Sequence, residues 1–373
     1  MLSPETKDGP TDMTATGTPR VSVVCPTYNR SRAITRTIDS VRAQTVGDWE
    51  LLVVSDGCDD DTEDWVARAA AEDPRVRLLR VARSGHPSGP RNAGLAAARG
   101  AYVAYLDHDD TWHPHHLRVV LGMLEGGAEM VATGCEYRDA AGREVAPLPP
   151  LSCCWHPQLQ LMGPMFEPSR VAHRRGLVEA VGGWRAGAGL EDWDLWLRLA
   201  DAGHVFRTVL EPTAVLLTDG GTRRHRMPRP HRMPLITMTD ARAAHALLLE
   251  LRAGRHDAAF RAACLADMRE WYTRMAADRT FARPADWHGD LETEVERVVT
   301  GAGRLFEELV LVPERGRFAL AKNLLCARPE HARRATELLP AIQPRQLRLL
   351  RELAGPAACA PAGSSDPALV PGQ

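Results

Sequence analysis

The sequence predicts an α/β fold: a doubly wound sheet over residues 20–233, followed by an α-helical domain over residues 234–354. Three observations carry that reading. Between residues 21 and 106, short β-branched runs alternate with amphipathic helical stretches. From about residue 235 the pattern changes to nearly continuous helical periodicity. And a chain of 373 residues, 44% hydrophobic and 25% charged, can bury one large core and a smaller one.

The elements follow in order. Residues 1–19 are rich in Thr, Pro, Gly and Asp and read as a disordered leader. "VSVVC" (21–25) is a strand stopped by Pro26, and "SRAITRTIDSVRAQ" (31–44) is a helix with Ser31 as N-cap and Ile34, Ile38 and Val41 on one face. "ELLVV" (50–54) is the second strand, and "DDTEDWVARAAAE" a helix whose acidic start suits its positive end. "VRLLRV" (76–81), the helix "RNAGLAAARG" stopped by Gly100, and the strand "AYVAYL" complete the alternation. This order predicts parallel strands with helices on both faces, and ligands in such sheets bind beyond the carboxyl ends of the strands. Residues 130–180 are irregular and proline-rich. "GGWRAGAGLEDWDLWLRLADAG" (182–203) is a glycine-rich loop entering a helix that buries Trp193, Trp196, Leu197 and Ala200. "GGTRRHRMPRPHRM" (220–233) is a basic loop, four long helical stretches follow, and residues 355–373 form a low-complexity tail.

Bulk properties remove several classes. Lys and Arg total 46 against 48 Asp and Glu, a formal charge of −2, so neither nucleic acid nor an anionic membrane surface is an expected partner. No apolar run approaches the roughly 20 residues of a membrane span, and residues 1–19 lack the apolar core of a signal peptide. The expected location is cytoplasmic. The eight cysteines show no CxxC pairing or zinc spacing and read as buried thiols of a reducing compartment; vicinal Cys153 and Cys154 leave a redox pair as the lesser alternative.

The chemistry sits at strand ends. "AYVAYLDHDDTWHPHHL" (101–117) ends a hydrophobic strand on Asp107, Asp109 and Asp110, carboxylates that repel one another unless a cation or water intervenes. Asp56 follows the second strand in "VVSDG", so two acidic clusters converge on one crevice, and Glu191 and Asp192 open the Trp-rich helix. Each cluster alone has a plain alternative as a turn or a helix start. His108 is expected to point away from any ligand, and "HPHH" (113–116) reads as an exposed helix start rather than a zinc site.

"VSVVCPTYNR", "LLVVSDGCDDDT", "RNAGLAAARGAYVAYLDHDDTWHP" and "VGGWRAGAGLEDWDLWLRLADAG" together resemble a family-2 glycosyltransferase of the GT-A fold across residues 21–225. The resemblance implies a Rossmann-like mixed sheet, a nucleotide-sugar donor and a metal, Mn²⁺ or Mg²⁺. It implies Asp109 as principal metal ligand, Asp107 near the ribose or the metal, Asp110 as a brace for the loop, and His225 as a further metal ligand. It implies Pro26 and Tyr28 along base and ribose, and Asp56 accepting the uracil N3–H, although the family's Asp-Asp-Gly-Ser is Ser55-Asp56-Gly57-Cys58 here. Arg91 either reaches the nucleotide or is a solvated helix-start residue. Arg224, with Arg223 and Arg226, either clamps the pyrophosphate or belongs to an exposed basic linker. Asp192 is the expected general base of an inverting transfer, with Glu191 orienting the acceptor. The absence of a transmembrane helix and of QxxRW after Asp192 implies single transfers rather than chain extension; the Asp56 carboxylate implies a UDP- or dTDP-sugar donor, and the acceptor hydroxyl is left open among a small natural product, a saccharide and a peptide. A nucleotidyltransferase and a catalytically degenerate binding module are the competing readings. The helical domain serves either the acceptor or homodimerisation, and amphipathic stretches do not separate these uses.

Overall fold

A computed structural model describes residues 17–145, 147–187, 189–218 and 231–359. The leader through residue 16, the tail from 360, and Arg223, Arg224, His225 and Arg226 lie outside the described residues.

The larger sheet has eight strands: β1 (Val21–Thr27), β2 (Trp49–Asp56), β3 (Val76–Val81), β4 (Tyr102–Tyr105), β5 (Thr111–Trp112), β6 (Met130–Arg138), β7 (Val171–Arg174) and β8 (Phe206–Leu217), in the order β3-β2-β1-β4-β7-β6-β8-β5. The first four are mutually parallel. β7 runs antiparallel to β4 and β6, so the sheet is mixed. β1 and β2 are buried along their whole length, as central strands covered on both faces must be, which is why they read as mainly apolar runs, with Ser22 and Glu50 buried as a hydrogen-bonded pair.

Helices cover both faces. On one side α1 (Ile34–Arg42), α2 (Thr62–Glu72) and α4 (His116–Glu125) bury Ile34, Ile38, Val66, Leu117 and Leu121 against Val21, Val23, Leu51 and Val53. On the other, beyond the short α5 (Pro157–Met162), α3 (Ser88–Ala97), α6 (Leu177–Ala180) and α7 (Glu191–Asp201) place Leu95, Val178, Leu195, Trp196 and Leu199 over Val24, Leu52, Val103 and Phe206. Alternate strand residues thus face opposite cores. α3 lies so close to β1 that a Cβ on Gly94 would stand 2.5 Å from Val24 Cγ1. Two local expectations change. Ser31 is not a helix cap: it sits at φ 45° in a 3₁₀ turn (Ser31–Ala33), where its Oγ donates to Asp61. And α3 starts at Ser88, three residues before Arg91, because the backbone at Pro87 is already helical.

The C-terminal part is helical, with helices at Ala241–Arg252, Asp257–Ala276, Leu291–Gly301, Pro329–Ile342 and Pro344–Ala354, but a second sheet runs through it. β9 (His231–Met238), β10 (Leu309–Glu314), β11 (Arg317–Leu324) and β12 (Ala358–Cys359) pair antiparallel in the order β10-β11-β9-β12. Two stretches read as continuous helix therefore contain a hairpin, closed at Arg315–Gly316 with φ 26° and 82°, the positive values a two-residue turn requires. The helical periodicity holds on both sides of that hairpin and hides it. α7 is held between the two parts. Its Trp193 and Leu197 join Leu161, Met233, Leu324, Ala335, Leu339 and Leu347 in a core opposite the one facing the sheet, and Asp194 pairs with Arg328. No helix among the described residues is long and apolar enough to cross a membrane.

Candidate active site

The carboxyl ends of β1, β2, β3 and β4 lie along one edge, and the sequence-predicted residues gather there. Asp56 is the last residue of β2 and only 3% exposed. Its Oδ1 accepts from Ser84 N–H and Ser84 Oγ, both at 2.7 Å; its Oδ2 accepts from Gly85 N–H at 3.0 Å and pairs with Arg83. Gly57 turns the chain at φ 67°, and a Cβ there would meet Arg83 Cβ at 3.0 Å. The Arg83 guanidinium lies 3.5 Å above the Tyr28 ring centroid. Pro26 is buried in β1 opposite Val54.

The loop after β4 separates its acids by environment. Asp110 is buried; its carboxyl accepts from Ser169 Oγ at 2.5 Å and from Leu217 N–H at 3.0 Å. Burial, then the Asp109 and Asp107 charges, push it well above the usual carboxylate range. Asp107 and Asp109 face the crevice. Asp107 receives Arg91 Nη2 at 2.7 Å, and Asp109 receives Arg30 Nη2 at 2.8 Å. His108 turns inward, its Nδ1 accepting from Tyr28 N–H at 3.3 Å and lying 3.2 Å from Thr27 Oγ1. Burial, then Arg30, push it down to about 3, so it is neutral. "HPHH" is only partly an exposed helix start. His116 is fully buried, stacked on Trp112 at 4.0 Å with Nδ1 2.7 Å from Thr213 Oγ1, and desolvation pushes it down to about 3. That burial arises because α4 must pack Leu117, Val120 and Leu121 onto the sheet, carrying His116 in with them.

Arg91 joins the two acidic groups. It is 2% exposed, not a solvated helix-start residue, and its Nη1 donates to Glu191 Oε1 at 3.0 Å while Nη2 holds Asp107. Burial opposes its charge, but Asp107 and Glu191 more than offset that. Its guanidinium also packs 4.4 Å from the Trp184 ring centroid. The loop carrying Trp184 is tied to α3: Asn92 Nδ2 donates to Trp184 O at 2.8 Å, Trp184 N–H donates back to Asn92 Oδ1 at 2.9 Å, and Ser88 Oγ donates to Arg185 O at 3.0 Å. Glu191 is buried on Arg91, so its carboxylate serves the bridge rather than facing outward. Asp192, half-buried beside it, accepts from Trp193 N–H at 2.7 Å. Desolvation, then the Glu191 charge, raise its carboxyl to about 7. Burial therefore outweighs the pull of the helix N-terminus, which alone would lower it.

The residues that sequence reasoning missed are Arg30, Arg83, Asn92 and Ser169. Ser169 accepts from Asp107 N–H at 3.0 Å, donates to Asp110, and receives Trp112 Nε1–H on its carbonyl at 2.6 Å. It lies in the irregular segment with no local motif. Arg30 stands two residues from Tyr28 and Arg83 in the loop after β3, each legible only as a charge, and only folding shows which carboxylate each meets. Among the described residues no three His, Cys, Asp or Glu side chains assemble as a complete metal site. Asp107 and Asp109, with side chains 30% and 23% exposed, nonetheless present two hard oxygen donors of the kind that suits Mg²⁺ or Mn²⁺ when phosphate oxygens complete the shell.

Residues 22–176 match the family described as "Glycosyl transferase family 2". The chain is similar to the "Succinoglycan biosynthesis protein ExoO" of Rhizobium meliloti (strain 1021), 38% identical over 157 residues, 42% of this chain and 44% of that one. It is similar to the Escherichia coli "UDP-Glc:alpha-D-GlcNAc-diphosphoundecaprenol beta-1,3-glucosyltransferase WfgD", 38% identical over 106 residues, 28% of this chain and 40% of that one. The matched part spans less than half the length of either relative. Among solved structures, S. aureus TarS 1-349 in complex with UDP-GlcNAc overlaps 55% of this chain and 60% of that one, at TM-score 0.47 and 18% identity. That overlap is partial, and no residue role is carried across from it.

Proposed function

We propose, from the match of residues 22–176 to glycosyltransferase family 2, that this chain belongs to that family and is a metal-dependent, inverting transferase moving one sugar from a UDP- or dTDP-sugar to an acceptor hydroxyl. One observation carries the reading. The buried Arg91 guanidinium holds Asp107 after β4 and Glu191 at the start of α7 at once, so the donor-side acids and the candidate base Asp192 are fixed to one crevice. Without that bridge the two groups would belong to separate elements with no reason to act together. The E. coli relative is named for a UDP-sugar, which supports the uridine side of the assignment.

In this reading Tyr28 and Pro26 line the base and ribose, and the Asp56 carboxylate accepts the imide N–H that uracil and thymine share. Asp109 and Asp107 would hold a hard dication, which when bound supplies Lewis-acid stabilisation of the departing nucleoside diphosphate. His225 and Arg224, outside the described residues, are the proposed additional ligand and diphosphate clamp. The acceptor hydroxyl oxygen forms a bond to the anomeric carbon as the bond from that carbon to the diphosphate oxygen breaks, and the electron pair leaves with the nucleotide. Asp192 takes the hydroxyl proton. A carboxylate raised to about 7 is a far better base than an ordinary one and is still largely ionised just above neutrality. Glu191, through Arg91, holds the geometry instead of touching the acceptor. The free thiols of the described cysteines accord with a reducing, cytoplasmic setting.

The test is thermal stabilisation by a panel of nucleoside diphosphates with and without Mn²⁺, since a ligand that binds only the folded chain raises its melting temperature. UDP or dTDP with Mn²⁺ should give the largest shift, and Asp109→Ala should remove the metal's contribution. A dominant response to GDP overturns the base assignment; release of pyrophosphate instead of a nucleoside diphosphate during turnover overturns the reaction class.

A further inference from the structure

Asp56 has no spare place for an incoming base. A carboxylate offers about four lone-pair directions, and among the described residues four groups stand at them: Ser84 N–H and Ser84 Oγ on Oδ1, the hydroxyl's one proton being shared with His86 O at 2.8 Å, and Gly85 N–H and Arg83 on Oδ2. Three of these come from a short backbone stretch and its own hydroxyl, anchored after β3. The fourth comes from the end of a long side chain that is 43% exposed. The Arg83 backbone itself is wedged against Gly57, its N, Cα and Cβ standing 3.0–3.2 Å from where a Gly57 Cβ would be. Only the tip of Arg83 is free to leave.

That tip does two things at once. It is a flat, delocalised group lying 3.5 Å from the Tyr28 ring centroid, and it donates N–H to the Asp56 carboxylate. A pyrimidine base with an imide N–H would do both of the same things at the same place: stack on Tyr28 and donate to Asp56. We propose that Arg83 is a built-in competitor for the nucleoside pocket, occupying the base position at rest and expelled into solvent when the donor's base enters. This rests on the reading of Asp56 and Tyr28 as the base site and adds the residue that sets its occupancy. Only a base presenting an in-plane N–H to the single vacated lone pair on Oδ2 replaces what is lost when Arg83 leaves. A base with only acceptors on that edge leaves the buried carboxylate short of a donor, so the competitor also sharpens selection among bases. Nucleoside affinity is lowered by the fraction of chains in which the pocket is closed.

The experiment is calorimetric titration of the full chain, Arg83→Ala and Arg83→Lys with uridine, thymidine, cytidine, adenosine and guanosine, without metal and at low and high salt. Nucleosides lack phosphate, so any contact of Arg83 with a diphosphate does not enter. The preferred nucleoside should bind Arg83→Ala at least ~5-fold tighter than the parent, with Arg83→Lys between them, because the closed fraction is removed. High salt should tighten binding to the parent by weakening the half-exposed Arg83–Asp56 pair, and leave Arg83→Ala unchanged. Asp56→Asn in the Arg83→Ala background should abolish the gain. Equal or weaker binding in Arg83→Ala, no binding in either protein, or a gain that survives Asp56→Asn overturns the proposal. The two readings fail separately: preference for guanosine with the ~5-fold gain intact sinks the uracil assignment alone, whereas preference for uridine with no gain sinks the role of Arg83 alone.

Discussion

Replacing Asp192 by Asn removes the candidate base and an acid that the fold destabilises. The carboxyl stands at about 7 against an ordinary 3.8, raised first by burial and then by Glu191. In the window between those values the folded chain holds a proton there that the unfolded chain has released. The folded state binds more protons, so this group's contribution to stability falls as pH rises from about 4 to 7. The difference is roughly three decades in the ionisation constant at ~1.4 kcal/mol each, so the ionised group costs the fold at most ~4 kcal/mol above pH 7. Asp192→Asn should therefore be more stable than the parent at pH 8 by up to about 4 kcal/mol and indistinguishable from it near pH 4, read from urea unfolding at both pH values. Activity should move the other way. The variant should lose about 10²–10⁴ of kcat, the usual contribution of a positioned base. In the parent, kcat/KM should fall about tenfold per pH unit below a midpoint near 7. A pH–rate profile flat down to pH 5, or a variant no more stable at pH 8, would refute the reasoning, because either result means that Asp192 is not desolvated.

Further predictions concern the frame around that group. Arg91→Met should leave Glu191 buried without its cation and cost about 3–5 kcal/mol in denaturant unfolding, as breaking a buried pair does; Glu191→Gln in the same background should recover part of it. Asp109→Ala should leave metal-free nucleotide binding within a few-fold of the parent while eliminating the Mn²⁺-dependent rise in melting temperature, a split that a general folding defect would not produce. Gly94→Ala should destabilise by about 1–3 kcal/mol, because its methyl would press on Val24 2.5 Å away in a packed core; paired with Val24→Ala, the loss should be smaller than the sum of the two single losses, which unfolding of all three variants would measure.

Much of the sheet was legible because its physics is local. Val23–Cys25, Leu51–Val54 and Val103–Leu106 are apolar on both faces, which only a buried central strand tolerates, and the intervening 3.6-residue periodicities declare helices. The acidic positions were legible too: carboxylates at the ends of such strands stand out against an apolar background. The C-terminal hairpin was not, since "LVLVPERGRFALAKNL" carries helix-forming residues on each flank and its pairing partner β9 lies some 80 residues away. Ser169, Arg30 and Arg83 were illegible as site residues for the same reason. An arginine in sequence is one more solvated charge until folding aims it at a particular oxygen.

By itself, then, the sequence determined which residues lie at strand ends and which helix faces are buried, because burial and periodicity act over a few neighbouring residues. Only the tertiary structure decided how the charges pair: Arg91 between Asp107 and Glu191, Arg83 on Asp56, Arg30 on Asp109, and Asp192 desolvated instead of stabilised by its helix. Electrostatic energies depend on separations of a few ångströms and on exclusion of water, and both are set by elements up to 100 residues apart in the chain.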